Sequence, residues 1–407
     1  MSEGLQKKSS SWKLAIACGG TGGHLFPGLA IADCLHEANH QPTLILSEKP
    51  IDRLASEDSS YPKVFLKSLG WQSGQRLRFL AFFPLRFLDC LKWMFKYRPD
   101  AVLAMGGFTS LAPTLAALLL RRPIFYHESN TIPGKAVRWL AKVASLGFVG
   151  FESAKALLSP ARVVLTGTPV RREFRSLERS FCCSELGLDP EKPILLITGG
   201  SQGALGLNRK MMQALPWLHQ SLPQCQVIHL CGMQEDLSSL RNAYSQAAIK
   251  ALVLPFMERM ELALGAATMA IARSGASFIS EMAAAGCPSL LIPYPHSADE
   301  HQRVNARTLA DANAALFMDE KEMTPQRLIA AIERLSADIP FREKIQENLQ
   351  TFDAPDAAAR ISEQMVHYLN CGGFLGQDAS ASTLSAPSGA KPASSMLNPE
   401  RSMTMMP

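Results

Sequence analysis

No stretch of this 407-residue chain reaches the roughly 18–20 consecutive apolar residues that a membrane-spanning helix requires. The longest candidate, LAPTLAALLL at 111–120, stops at Arg121 and Arg122. Near the N-terminus, Lys7 and Lys8 precede the apolar run LAIAC, which is too short for a secretory signal and ends in glycines. These absences predict a cytoplasmic chain that does not span a membrane. The nine cysteines are scattered, odd in number and without a CxxC spacing, which argues for a reducing compartment and against a zinc site. The charge imbalance is small too, with 41 Lys and Arg against 36 Asp and Glu. A net +5 is too weak to argue for nucleic acid, but it suits an acidic substrate or an anionic membrane surface. No Walker A ending follows either glycine-rich turn. The dinucleotide fingerprint also fails, because Leu25 stands where a third glycine is required and Glu48 falls late for a ribose acid.

What is present is a chain 47% hydrophobic and 19% charged, long enough for two packed domains. Short apolar runs alternate with helical stretches. KLAIAC, PTLILS, DAVLAMGG, PIFYHE, LGFVGF and ARVVLTG read as strands, with helices at about 26–37, 84–97, 110–120 and 135–143. After a charged, irregular stretch the pattern restarts with PILLITGG, QVIHLCG, ALVLPF, MAIARSG and PSLLIPYP. The reading is an α/β protein of two Rossmann-like, doubly wound domains facing a cleft. The expected divisions are an N-terminal extension (1–12), a first domain (13–172), a linker (173–192) and a second domain (193–352). A C-terminal helix (353–371), possible packing for the first domain, and a Ser/Ala/Gly/Pro-rich disordered tail (372–407) complete the chain.

The two halves echo each other in ACGGTGG at 17–23 and ITGGSQG at 197–203, each a glycine turn between a buried strand and a helix. Such a joint directs free backbone N–H groups and the positive end of a helix dipole at one spot, which favours phosphate. The alternative is a tight turn that serves packing alone. A third strand–helix joint, ARSGASFISEMAAAG, offers Ser277 as an N-cap and Glu281 one turn in, able either to cap its helix or to accept from ribose hydroxyls. His301 and Gln302 open the next helix, within reach of sugar hydroxyls or simply solvated.

Seven motifs then occur in order: GGTGGHLFPGLAIA, MGGFTS, HESNTIPGKAVRWLA, GTPVRREF, GGSQGALGLN, ARSGASFISEMAAAG and PYPHSADEHQRVNA. From about Lys13 to Tyr368 the chain resembles the bacterial UDP-N-acetylglucosamine–N-acetylmuramyl-(pentapeptide) pyrophosphoryl-undecaprenol N-acetylglucosaminyltransferases, of the glycosyltransferase family 28 type. The resemblance implies a GT-B fold and transfer of GlcNAc from UDP-GlcNAc to lipid I, giving lipid II for peptidoglycan. It implies no cofactor, and a peripheral position on the cytoplasmic side of the cell membrane. Protein partners are not implied. Carried over, the donor site uses Thr21, Gly22 and Gly23 at the sugar–pyrophosphate end, with Asn130 and Arg171 nearby and Ser201 on the diphosphate. Met257 meets uracil. Ala276, Ser277, Phe278, Ile279, Ser280 and Glu281 wrap the nucleoside, with Glu281 on the ribose, and His301 and Gln302 face the GlcNAc hydroxyls. Thr168 replaces the Asn that some relatives carry in GNPVR.

An α-linked donor and a β-linked product imply direct displacement with inversion, which needs a base and stabilisation of charge growing on UDP. The chain has no Asp-x-Asp pair to hold a metal for the second task. Helix N-termini and Arg171 would serve instead, with no metal. His24, at the mouth of the first helix and with an ordinary pKa near 6.5, is the candidate base. Glu128 and His127 are its rivals. Residues 71–98 interleave Phe79, Phe82, Phe83, Phe87, Trp93 and Phe95 with Arg76, Arg78, Arg86, Lys92 and Lys96, a candidate patch for anionic lipid or, alternatively, a core helix with a basic face. Two other functions stay open: a UDP-GlcNAc 2-epimerase and a non-catalytic nucleotide-sugar-binding module.

Overall fold

The computed structural model describes residues 11–57, 59–66, 76–158, 162–175, 177–200, 203–233 and 235–372, with side chains omitted at 51 and 76–82. The expected disordered tail lies outside the described residues, apart from Gly372. Thirteen strands are described, all in parallel pairs. The first sheet holds β1 (Lys13–Ala17), β2 (Gln41–Ser47), β3 (Lys63–Leu66), β4 (Ala101–Ala104), β5 (Ile124–Glu128), β6 (Leu146–Val149) and β7 (Val163–Leu165), in the order 3-2-1-4-5-6-7. The second holds β8 (Ile194–Thr198), β9 (Gln226–Leu230), β10 (Ala251–Leu254), β11 (Met269–Ala272), β12 (Ser289–Leu291) and β13 (Leu316–Phe317), in the order 10-9-8-11-12-13. Each sheet has one switch point, between β1 and β4 and between β8 and β11. In open parallel sheets, ligands bind at such points.

Helices of the first half are α1 (Gly22–Glu37), α2 (Pro50–Leu54), α3 (Arg76–Tyr97), α4 (Leu111–Leu119), α5 (Lys135–Leu140) and α6 (Glu152–Lys155). Those that follow are α7 (Arg179–Glu185), α8 (Leu205–Ser221), α9 (Leu237–Gln246), α10 (Met260–Ala266), α11 (Ala276–Ala285), α12 (His301–Asp311), α13 (Pro325–Ala337), α14 (Ile339–Gln350) and α15 (Ala357–Asn370). Strand residues alternate between faces. Leu14 and Ile16 of β1 meet α1 and α15 on one face of the first sheet, while Ala15 and Ala17 meet α3 and α4 on the other. In the second sheet Leu195 and Ile197 face α8 and α13, and Ile194 and Leu196 face α7, α10 and α11. Each Leu or Ile so buried contributes about 1.5–3 kcal/mol relative to exposure.

Several elements depart from the sequence reading. The first helix begins at Gly22, four residues before the expected start, despite Pro27 inside it. A helix-packing glycine does exist, but at Gly28, where a Cβ would lie 2.5 Å from Cys18 Cβ. Any side chain there would lift α1 off β1. Strands β3 and β13 are short edge strands with too little apolar pattern to be read. Segment 173–192 is not irregular: it holds a 3-10 turn (Arg172–Arg175) and α7, whose Cys182 and Cys183 are fully buried beside Phe174 in the second domain's core. The C-terminal α15 lies against α1 and the first sheet, with Tyr368 edge-on to Phe125 and Trp12 donating from Nε1 to Asn370.

Candidate active site

The first glycine turn sits at the switch point of the first sheet. Gly19 lies against the backbone of Leu46 and Ser47, where a Cβ would be 2.3 Å from Ser47 N, and Gly20 has φ +113°, a left-handed value that glycine tolerates. Thr21 is the N-cap of α1 in extended conformation, but its side chain does not cap the helix. Its Oγ1 lies 3.2 Å from His24 Nδ1 instead. The other side of the imidazole rests on the turn after β4, close to Gly106 and Gly107, where a Cβ would approach ring atoms to 3.1 Å. His24 therefore bridges the two loops of the switch point. Burial pushes its pKa down to about 4; Asp52 opposes that shift, and Lys49 and His301 add to it. The ring is neutral at pH 7.

The rivals are placed differently. His127 is fully buried, with Nε2 3.0 Å from Gly167 O and Nδ1 3.3 Å from Ser129 Oγ. Both of its nitrogens are engaged, and burial holds it at about 4. Glu128 is also buried, and both oxygens are in use: Oε1 accepts from Asn130 N and Nδ2, each at 2.9 Å, and Oε2 accepts from Gly134 N at 2.9 Å. Burial raises its pKa against these bonds. The carboxylate braces the loop that presents Asn130.

The second domain reaches this turn directly. Expected as an N-cap, Ser277 is not one; Gly275 holds that place, and no side chain caps α11. Ser277 Oγ donates across the cleft to Gly23 O at 2.7 Å. Pro27 explains why that carbonyl is available, since a proline four residues on supplies no N–H to it. Of the six residues expected to wrap a nucleoside, three have buried side chains. Ala276 is 5% exposed, Ile279 is 1% exposed in the second domain's core, and Ser280 Oγ donates to Ala276 O. Ser277, Phe278 and Glu281 keep partial exposure. Burial raises the Glu281 pKa to about 7; nearby Arg171 lowers it and Glu261 raises it.

Arg171 is not a free cation. Its Nη2 donates to Glu261 Oε2 at 3.3 Å and to Glu258 O at 3.4 Å, and its guanidinium stacks on Phe26 and Phe174 at 4.7 and 5.4 Å. Gln302 Oε1 accepts from Tyr294 N at 2.9 Å, and His301 Nδ1 lies 2.6 Å from Ala298 O, so both open α12 in fixed orientations. Met257 packs on the edge of the second core. Ser201 lies outside the described residues, although its turn is framed by Gly200 and Gly203, with φ of +76° and +75°.

Sequence reasoning missed Asn305. Fully buried, it accepts through Oδ1 from Thr131 N and Oγ1 at 3.0 and 2.8 Å and donates through Nδ2 to Asn130 Oδ1 and Ser274 O at 3.1 and 3.2 Å. All of its capacity ties the Asn130 loop to the end of β11. The available signal was an amide on the buried stripe that α12 forms with Ala306 and Leu309. Glu261, a lone acid in the apolar run of α10, was missed in the same way.

The proposed lipid patch is also rearranged. Phe83, Phe87 and Trp93 pack against the core of the first domain, and Arg86 pairs with Asp89 at 3.1 Å. The side chains of Phe79 and Phe82 lie outside the described residues. The exposed stripe of α3 is Leu85, Leu88, Lys92, Phe95 and Lys96; its three apolar members are 53, 47 and 60% exposed. No helix among the described residues is long and apolar enough to cross a membrane.

Comparison with known proteins places this architecture. Residues 14–148 match the glycosyltransferase family 28 N-terminal domain, and residues 194–361 match the family's C-terminal domain. A protein of Myxococcus xanthus (strain DK1622), named UDP-N-acetylglucosamine–N-acetylmuramyl-(pentapeptide) pyrophosphoryl-undecaprenol N-acetylglucosamine transferase, is 32% identical over 359 residues, covering 87% of this chain and 92% of that one. The crystal structure of Acinetobacter baumannii MurG is similar with a TM-score of 0.65 at 25% identity, over 87% of this chain and 99% of that chain. A putative UDP-N-acetylglucosamine 2-epimerase from Listeria monocytogenes superposes with a TM-score of 0.66 over 89% of this chain and 97% of its own, but at 15% identity it shares the fold alone. Both halves match one family in order, and a relative is similar over nearly its whole length: the chain belongs to glycosyltransferase family 28.

Proposed function

We propose that this enzyme transfers GlcNAc from UDP-GlcNAc to the muramoyl 4-hydroxyl of lipid I, giving lipid II and UDP with inversion at the anomeric carbon, in peptidoglycan synthesis. Membership of the family and its named relatives support the reaction. The observation that carries the site is the meeting of two switch points across one cleft, where Ser277 of α11 touches the turn that holds His24. The epimerase reading has only the shared fold behind it.

The donor's ribose fits Glu281, whose carboxylate accepts from two hydroxyls. His301 and Gln302 face the sugar. The N-termini of α1 and α8 supply positive dipole ends to the diphosphate. Arg171, neutralised by Glu261, orders the cleft floor and moderates the charge of Glu281 more than it supplies free positive charge. His24 serves as base in one tautomer. With Nδ1–H donating to Thr21 Oγ1, Nε2 keeps its lone pair for the acceptor hydroxyl.

The direct test incubates the purified protein with labelled UDP-GlcNAc, with and without a lipid I analogue. Acceptor-dependent UDP release with a β-linked disaccharide product is expected. Free ManNAc without acceptor would establish the epimerase instead. Activity is expected to persist in excess EDTA, since helix dipoles carry the leaving-group charge. Loss that magnesium or manganese restores would refute that arrangement.

For a lipid-linked acceptor, the exposed α3 stripe supplies the membrane contact: Leu85, Leu88 and Phe95 enter the headgroup region and Lys92 and Lys96 meet anionic lipid. Each cation adds roughly 1 kcal/mol near an anionic leaflet. The triple variant Leu85→Ser, Leu88→Ser, Phe95→Ser should keep its melting temperature, lose most binding to anionic liposomes and retain activity on a short-chain soluble acceptor. Binding should also weaken as salt rises. Unchanged liposome binding would move the lipid-facing surface elsewhere.

A further inference from the structure

Asp52, in α2, is 0% exposed and has no counter-ion among the described ion pairs. Its Oδ2 accepts three hydrogen bonds: from Gly20 N at 2.6 Å, Ser47 N at 2.9 Å and Ser47 Oγ at 2.5 Å. Its Oδ1 is buried without a partner. Beside it, exposed Lys49 donates from Nζ to Gly20 O at 2.7 Å. Loop 47–52 therefore grips both the N–H and the carbonyl of the glycine that carries the left-handed φ. A buried carboxylate with one idle oxygen is an expensive way to hold a turn. An amide would accept from the same donors at lower desolvation cost. The negative charge itself needs a use.

We propose that Asp52 is a positioning residue for His24: it fastens the first glycine turn and supplies the fixed negative charge that the imidazolium meets when His24 takes the acceptor's proton. The second half rests on the reading of His24 as base. The proton passes from the muramoyl hydroxyl to His24 Nε2 as oxygen attacks the anomeric carbon and the bond to UDP breaks. Positive charge thus appears on the ring as negative charge departs with UDP. The charged and titratable groups that face the ring are Asp52 and Lys49 from loop 47–52, His301 from the start of α12 and His127 from β5. Among these, Asp52 alone favours the protonated ring. No hydrogen bond joins the two side chains, so the effect is a through-space one carried by a rigid turn.

The test uses the full chain with isotope-labelled histidine and follows the His24 resonance, assigned by its loss in His24→Gln, through an acid titration. The wild-type midpoint is expected at about 4, where burial holds the ring. Asp52→Asn should lower it, leaving titration barely begun at pH 4. Lys49→Gln, at an exposed position, should raise it, for a separation on the order of one pH unit. In parallel, Asp52→Asn should reduce kcat more than tenfold with the donor KM nearly unchanged. Midpoints that coincide with wild type would overturn the inference, whatever happens to kcat, and reduce Asp52 to a purely structural part. Should Asp52→Asn fail to fold, Asp52→Ser is titrated in its place, and a midpoint there that coincides with wild type overturns the inference equally. If His24→Gln turns over like wild type, the base assignment falls; the titrations still report separately on whether Asp52 sets the charge at the ring.

Discussion

His24→Gln lowers kcat by about 10²–10⁴-fold while leaving the KM for UDP-GlcNAc within about threefold of wild type, the range expected for loss of a general base. Glutamine keeps polarity and much of the volume against Gly106 and Gly107, so the switch-point loops stay in place. What it removes is the ring-nitrogen lone pair proposed to take the acceptor's proton. An interaction made only in the transition state appears in kcat and not in donor binding. The depressed pKa is consistent with this role: at neutral pH the ring already carries an open lone pair and needs no prior deprotonation. Steady-state rates at saturating donor and acceptor decide the matter. A variant that keeps more than a tenth of wild-type kcat would remove His24 from the base role. Because Glu128 and His127 are each hydrogen-bonded at both ends, neither is a ready substitute.

Glu281→Ala has the opposite signature. In the proposed site two ribose hydroxyls donate to the Glu281 carboxylate in both ground and transition states, so the loss should fall on KM. Hydrogen bonds to a charged group contribute about 1.5–3 kcal/mol, so the donor KM should rise by about ten- to a hundredfold with kcat little changed. The wild type adds a pH test. Burial holds the Glu281 carboxyl at about 7, so its carboxylate form, the better acceptor, dominates only above that value. As pH falls below 7 the donor KM should climb, and the Glu281→Gln variant should lose that dependence. A KM indifferent to both substitution and pH would take Glu281 out of the donor site. Arg171 enters here indirectly: its removal would leave Glu261 and Glu281 facing each other and move the KM inflection to higher pH.

The fold was legible where residue type and backbone demand coincide. Four- and five-residue apolar runs became buried parallel strands, and Gly20 and Gly200 mark left-handed turns that other residues adopt rarely. Legibility failed where the decision is tertiary. Phe83, Phe87 and Leu88 lie on one amphipathic helix, and nothing in their spacing says which side meets the sheet; the two phenylalanines face inward and Leu88 faces out. Pro27 concealed the first turn of α1 because an internal proline usually marks a boundary. Here the carbonyl it frees is taken by Ser277 from the other domain. Asn305 and Asp52 are single polar residues whose value lies in partners far along the chain, a property that no local pattern encodes.

The chain passes between the domains twice, and the two passages lie side by side. Gly167, with φ +81°, is so close to Ala354 that a Cβ on it would fall 2.1 Å from that residue's Cβ; Arg175 pairs with Asp353 at 2.7 Å, and Phe151 meets Phe352. Two adjacent tethers act like the two knuckles of a door. They suppress sliding and twisting of one domain over the other and leave a single swing about the line that joins them. A swing of that kind would have to break the bonds of Ser277 and Asn305 that cross the cleft. An opening along that swing would uncover the His24 face and the Glu281 face together, and closure would return Ser277 to Gly23.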